Sequence, residues 1–371
     1  MTTGRWSDSF LDDMREIADP LADDAIHMLF SSGDRDAVQR FLNTLQRNEQ
    51  VDPAMLPSCI QDYFKLLPDV PEPDVPLIQE GQQLFATYGP EILMILACYS
   101  LPAAYAARKG VQVLYRTGFL AQRTNLRLFQ TSQMVIDVMS PGGLGPTGMG
   151  RVTAVKVRLI HAAIRRLLLS DTQNPWPNEW GVPLNQEDLA GTLMTFTHLI
   201  RDGLDKLGVG IWPPGYLNAW QAVGRMMGIV EDLIPKTPDE AAELCAIIQR
   251  RQVDPSPEGR ALTTALLEMM QHYAPPLFGG MPAALMRLFL PPDVAEGLGV
   301  PEHKLDEELL NVAVDVEKWF HPNAPADLKT LHVRRFATHL VELLVSAELG
   351  WRRPQFRIPT QLQDAWQLSK N

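Results

Sequence analysis

Residues 156–166 read Lys156-Val157-Arg158-Leu159-Ile160-His161-Ala162-Ala163-Ile164-Arg165-Arg166, a run without a helix breaker. It predicts a helix, and because helical residues turn by about 100° each, Arg158, His161 and Arg165 share one face. Two fixed cations beside an imidazole oppose its protonation. We therefore expect His161 to be neutral, the form that binds metals. The alternative is a structural histidine on a packed helix.

The overall composition is that of a globular protein with a substantial core. The 371 residues are 46% hydrophobic and allow one large domain or two or three smaller ones. The net charge of -11 argues against a general surface for nucleic acid or anionic membranes, although a local basic pocket is still allowed. No nucleic-acid partner is therefore expected.

The cysteines and the N-terminal residues give indications of the cellular compartment. Cys59, Cys98 and Cys245 are widely spaced, so neither a disulfide framework nor a zinc knuckle is predicted. Residues 1–13 lack the basic segment followed by an apolar one that marks an export signal. We therefore expect a cytoplasmic protein.

Helical patterns fill the chain from Asp19 onward, and strand-like alternation is nearly absent. Helix start signals stand at Asp19-Pro20, Asn185 and Thr237-Pro238, and the last predicted helices cover 306–320 and 327–349. The apolar run from Ile92 to Ala106 is too short to span a bilayer and predicts a buried core helix. The sequence therefore predicts an all-α protein without a membrane span.

One glycine-rich segment matches a nucleotide-binding pattern. Residues 143–148 spell Gly-Leu-Gly-Pro-Thr-Gly, but Pro146 removes a backbone donor, and no strand is predicted before the next acid, Asp171. We interpret residues 141–150 as a flexible loop.

The stretch between Glu91 and Asp137 contains no acidic residue, whereas Arg and Lys occur in it five times. Such a stretch can hold an anionic group in an apolar pocket. The alternative is a buried central layer whose cations reach outward to solvent.

His198 is a second histidine that could belong to a functional site, and it lies in a helix predicted from Gln186 to Leu207. It is either a ligand or pocket residue or a core histidine bonded to a neighbour. His332 and His339 lie about 10.5 Å apart along a predicted helix, too far for one metal ion.

Several catalytic signatures are missing from the sequence. There is no His-Glu-x-x-His, no histidine three residues after a glutamate and no Gly-x-Ser-x-Gly. An anionic planar cofactor held by one imidazole would use the remaining features, with its iron on His161 and its carboxylates near Arg158 and Arg165.

The residues around His161 also resemble a known family. Val157 to Arg165 is similar to the Arg-x-x-His-x-x-x-Arg helix of rubber oxygenases, or latex clearing proteins, whose relatives include the oxygenase that cleaves a farnesyl chain in mycophenolic acid biosynthesis. Further similar segments are Asp19–Asp23, Ser100–Ala106, Val113–Gly118, Arg127–Thr131, Asp188–Thr192 and Trp220–Gly224.

This resemblance implies an all-α fold with a globin-like helical core and additional helices. It implies a single haem-binding oxygenase domain over residues 1–371, with a core at 15–235 and a helical C-terminal extension at 236–371.

The resemblance also implies roles for individual residues. His161 is the expected axial ligand of a b-type haem, and Arg127 and Thr131 are expected to line the distal pocket. Gln130 stands where the best-known rubber oxygenases have a lysine that can cap the iron. Because a glutamine amide is a poor iron ligand but a good hydrogen-bond donor, we expect an open or water-bearing distal site.

Three functional hypotheses follow. The first is a haem b-dependent oxygenase that uses O₂ to cleave a carbon-carbon double bond of an apolar, isoprenoid small molecule or polymer. In the resembling enzymes a glutamate upstream of the distal helix is proposed as a base, and the acid-free stretch of this chain lacks it. The second hypothesis keeps the haem with peroxidase or mono-oxygenase chemistry. The third is a non-catalytic helical protein that binds haem or lipid.

Overall fold

The chain folds into α-helices joined by turns, as seen in a computed structural model. The structure describes residues 5–34, 36, 57–67, 69–71, 74–117, 124–210, 212–273, 280–302, 337–338 and 341. No β-strand occurs in these ranges, and an isolated bridge joins Ala107 to Val253. The all-α prediction is confirmed. The helices predicted over 306–320 and 327–349, with His332 and His339, lie outside these ranges, apart from residues 337, 338 and 341.

The helices of the described residues up to and including the one that carries His161 come from the first half of the chain. They are α1 (Asp8–Arg15), α2 (Pro20–Ser31), α3 (Ser58–Lys65), α4 (Val75–Ile95), α5 (Leu101–Tyr105), α6 (Val111–Arg116), α7 (Thr124–Met139) and α8 (Met149–Ser170). The helices that follow are α9 (Gln186–Phe196), α10 (His198–Lys206), α11 (Gly215–Met226), α12 (Pro238–Gln252), α13 (Pro257–Tyr273), α14 (Met281–Phe289) and α15 (Pro292–Gly297).

Local capping chemistry sets several helix starts. The predicted caps accept backbone hydrogen bonds, from Ala22 to Asp19, from Asp188 to Asn185 and from Glu240 to Thr237. The single helix predicted from Gln186 to Leu207 is wrong, because the chain breaks at Thr197, where φ is -110° and ψ is -81°. The Thr197 hydroxyl donates to the carbonyl of Leu193 instead of facing solvent.

Helix α4 forms the centre of the core. Ile92, Leu93, Met94, Ile95 and Leu96 are each at most 1% exposed, which confirms the predicted core helix. A π-turn at Leu96–Ser100 joins α4 to α5 just before Pro102, which has no backbone N–H to donate. The combined segment Val75–Tyr105 has the length and the mean hydropathy, 1.4, of a membrane span, but 83% of its most apolar window is buried by other helices.

Helix α8 lies between three hydrophobic clusters. Ala154 and Val157 pack against the main cluster, which also takes residues from both sides of position 235. Val155, Leu159 and Ala162 pack against α2 and α3. Leu168, near the end of α8, packs against α6 and the loop after α8. The predicted division at residue 235 stays a prediction, although one core runs across it.

Candidate active site

His161 lies on the side of α8 that faces the main cluster and α6. It shares this side with Ala154, Val157, Ile164 and Leu168, which are three, four or seven residues away and lie within the same stripe of the helix. The side chains of Val157, His161 and Ile164 are all half-buried, in contrast to the fully buried Ala154. An imidazole in an apolar, partly open stripe is therefore the centre of the site.

Helices α7 and α8 form an antiparallel hairpin that closes at its turn. Thr153 of α8 donates to Asp137 of α7 over 2.7 Å, and Gln133 donates to the other oxygen of Asp137, also over 2.7 Å. Burial raises the pKa of the Asp137 carboxyl, and these two hydrogen bonds oppose that effect. At Gly150 the backbones touch, since a Cβ there would come within 2.5 Å of Val138 Cα. The segment predicted as a flexible loop is thus a packed turn.

The hairpin register brings Gln130 to the level of His161. Gln130 lies seven residues before Asp137, and Ile160 lies seven residues after Thr153, so both are two turns, about 10.5 Å, from the closed end. Gln130 is exposed although it lies on the same face of α7 as Asp137. Ile160 and His161 are half-buried. The two residues thus lie at the same distance from the turn on paired helices, Gln130 at the surface of α7 and His161 partly covered on α8.

The other two predicted distal residues lie on the same helix. Thr131 follows Gln130 and is half-buried. Arg127 lies in the first turn of α7, and its side chain lies outside the described residues. Gln130 and Thr131 thus lie on α7, which pairs with the helix that carries His161.

The arginines beside His161 are already bound by other parts of the protein. Arg158 donates to both oxygens of Asp19, over 2.5 and 2.7 Å. Arg165 donates to Asp23, and its other nitrogens donate to the carbonyls of residues 183 and 184. These contacts occupy both guanidinium groups, and the expected placement of the two arginines near haem propionates stays a prediction. Each of the two cations is paired with a carboxylate, so their charges no longer give a reason to expect a neutral His161.

Asp19 and Asp23 are the functional candidates that the sequence interpretation missed. Both belong to the Asp-Pro-Leu-Ala-Asp segment, which resembled the family but received no role. Burial raises the pKa of Asp23, and the ion pair with Arg165 opposes that rise. The sequence signal that could have identified them is a pair of acids four residues apart at a helix start, together with a pair of arginines seven residues apart.

His198 begins α10, outside the α7–α8 hairpin, and is half-buried. Burial lowers its pKa. Among the described residues, no group of three or more His, Cys, Asp or Glu side chains could hold a metal ion together. A metal bound at His161 would therefore need ligands that come with a cofactor.

Comparison with known proteins places this helical fold and its hairpin among the oxygenases. A family model described as "ER-bound oxygenase mpaB/B'/Rubber oxygenase, catalytic domain" matches residues 83–319. The chain is 28% identical over 349 residues to the rubber oxygenase of Streptomyces sp. (strain K30), covering 87% of this chain and 83% of that protein.

The fold has a solved counterpart. The structure of latex clearing protein LCP in the closed state matches with a TM-score of 0.74 and 24% identity, covering 94% of this chain and 95% of that chain. The chain belongs to the mpaB and rubber oxygenase family. By class it is an oxygenase.

Proposed function

We propose that this protein is a haem b-dependent oxygenase that uses O₂ to cleave a carbon-carbon double bond of an apolar, isoprenoid substrate. The observation that carries the proposal is the half-buried His161 imidazole in the apolar stripe of α8, with Gln130 at the same distance from the turn on the paired helix α7. Family membership supports the oxygenase chemistry. The relative is a rubber oxygenase by name, so a polyisoprene-like chain is the first substrate to test.

The residues around His161 on α8 fit a haem. One imidazole suffices as the protein ligand, because a porphyrin supplies four nitrogens of its own. Val157, Ile160 and Ile164 give the α8 wall the apolar surface that a flat ring needs. When bound, the haem iron supplies the reactivity toward O₂ that amino-acid side chains lack.

The chain's own residues define the other tasks of the site. His161 binds and orients the cofactor. The apolar wall excludes water and accepts the isoprenoid chain. Gln130 carries an amide N–H donor that would be available to a bound cofactor or to O₂, and its amide is a weak iron ligand. Asp137 is the first acid after the acid-free stretch, but its two oxygens are engaged by Gln133 and Thr153.

The first experiment tests cofactor binding. Wild-type protein reconstituted with haemin and desalted is expected to keep a Soret absorption band. His161→Ala is expected to lose most of it, because the axial ligand is gone. His198→Ala is the matched control, since it removes another half-buried histidine outside the hairpin, and it is expected to keep the band. A colourless wild-type protein would overturn the proposal.

The second experiment tests the reaction. Haem-loaded protein is incubated with a short polyisoprene under ¹⁸O₂, and the carbonyl products are analysed by mass spectrometry. Two labelled oxygens per cleaved bond are expected, one in each product end. One labelled oxygen would identify mono-oxygenation, and no turnover across alkenes would identify a binding protein.

A further inference from the structure

Two aspartates of α2 hold the two arginines that flank His161. The Arg158–Asp19 pair is bidentate, and its side chains are 7% and 5% exposed. The Arg165–Asp23 pair joins side chains that are 3% and 29% exposed. Because bidentate contacts of guanidinium with carboxylate are directional, the Arg158–Asp19 pair fixes orientation as well as distance, and the Arg165–Asp23 contact adds a second ion pair.

The remaining guanidinium nitrogens of both arginines also donate to acceptors within the protein. Arg158 Nη1 donates to the Met226 carbonyl at the end of α11 over 3.2 Å. Arg165 Nε and Nη2 donate to the carbonyls of Pro183 and Leu184 over 2.9 and 3.0 Å. Every nitrogen of both guanidinium groups therefore has a protein acceptor.

These contacts lie on either side of His161. Arg158 is three residues before it and Arg165 four residues after it, so one anchor lies about one turn away in each direction. The neighbouring contacts of Leu159 and Ala162 with α2 and α3 are apolar and non-directional. The ion pairs are thus the contacts best able to set the rotation of α8 about its axis.

We propose that Asp19 and Asp23 are positioning residues for His161, which hold α8 in the rotation that presents the imidazole on the half-buried, apolar side of this helix. This inference rests on the proposed haem-binding function. The rival account is that Arg158 and Arg165 leave the aspartates and bind the carboxylates of the cofactor. The two accounts predict opposite effects of neutralising an aspartate.

The test is a haemin titration of Asp19→Asn and Asp23→Asn, followed at the Soret band. If the aspartates position His161, Asp19→Asn weakens haemin binding by about tenfold or more, the usual cost of losing a residue that orients a metal ligand. Its spectrum at saturation is also expected to show reduced histidine ligation. Asp23→Asn is expected to change both readouts in the same direction and by less, because Asp23 is more exposed.

The matched control is Asp202→Asn. Asp202 of α10 pairs with Lys206 of the same helix over 2.8 Å and is partly exposed, like Asp23, so its loss is expected to leave the haemin affinity of the folded protein within about twofold. Urea unfolding of each apoprotein gives the folded fraction. Equal or tighter haemin binding by Asp19→Asn would overturn the inference in favour of the rival.

Arg158→Lys covers the case in which Asp19→Asn does not fold. Lysine keeps the charge but cannot make the bidentate contact. Positioning predicts weaker haemin binding and altered ligation, whereas simple attraction of a cofactor carboxylate predicts unchanged affinity, which would overturn the inference. If wild-type protein binds no haemin, the proposed function fails first and the inference fails with it.

Discussion

At the scale of single residues, Arg158 is held on every side by groups from distant parts of the chain. Asp19 binds two of its nitrogens, and the Tyr63 ring centroid lies 5.7 Å from its Cζ. Gly228 lies against the guanidinium, where a Cβ would come within 2.7 Å, and its φ of +80° favours glycine as well. A side chain at position 228 is excluded for both reasons, so Arg158 is a fixed part of the structure.

His198 is expected to make stability sensitive to pH. Burial lowers its pKa from the ordinary 6.5; Arg201 and Lys206 act in the same direction, and Asp202 and Asp205 oppose them. The unfolded chain keeps the ordinary pKa and binds a proton more readily, so this contribution is intact above about pH 6.5 and is lost as the pH falls below it.

Urea unfolding at about pH 7.5 and about pH 5.5 measures this effect. The loss of unfolding free energy on acidification is expected to be larger for wild type than for His198→Gln, whose amide does not titrate. Equal losses in the two proteins would show that His198 is not the responsible group.

At the scale of elements, the α7–α8 hairpin is closed at its turn. The closure depends on Gly150, where the backbones of the two helices meet. Gln130 and His161 lie about two turns from this end. The hairpin therefore carries both candidate residues on paired helices from adjacent segments of the chain.

Gly150→Ala is expected to destabilise the protein although alanine is the better helix former. Helix propensity favours alanine by about 1 kcal/mol. The added Cβ would lie 2.5 Å from Val138 Cα, and separating two backbones costs about 1–3 kcal/mol, so a net loss is expected in urea unfolding.

Gly191→Ala is the matched control in α9, because its Cβ would meet only a methyl of Ile248 at 3.2 Å. This variant is expected to be as stable as wild type or slightly more stable. A Gly150→Ala protein as stable as wild type would mean that the hairpin can open at its turn.

At the scale of the whole molecule, a buried ionic network fastens the N-terminal helix to the rest of the fold. Arg15 of α1 binds Glu187 and Asp188 of α9 over 3.0 Å each, and Glu187 is fully buried. Arg251 of α12 binds the other oxygen of Glu187 over 2.7 Å. Helices far apart in sequence thus meet at one carboxylate, which keeps the segment that leads into Asp19 in place.

Arg15→Met is expected to lower the free energy of unfolding by about 3 kcal/mol, because it leaves a buried carboxylate short of a counter-ion. Thermal or urea unfolding measures the change. Arg250→Met is the control, since Arg250 pairs with Asp8 at an exposed position and its loss is expected to change the free energy of unfolding much less. Similar losses in both variants would argue against a central role for the network.

The sequence by itself determined the helical class, several helix caps and the helix around His161. These features depend on residues within about two turns of one another, where periodicity and capping act. The break at Thr197 escaped prediction because its hydroxyl bonds to the Leu193 carbonyl, a choice that the pattern of apolar residues does not reveal.

Only the tertiary structure decided what the residues around His161 bind. Arg158 and Asp19 are 139 positions apart, and their pairing depends on how α2 packs against α8. The sequence showed two cations beside an imidazole and predicted a ligand for them, whereas the fold supplies an aspartate for each. Local patterns fix which face of a helix a residue occupies, but the partner on that face is set by the packing of distant segments.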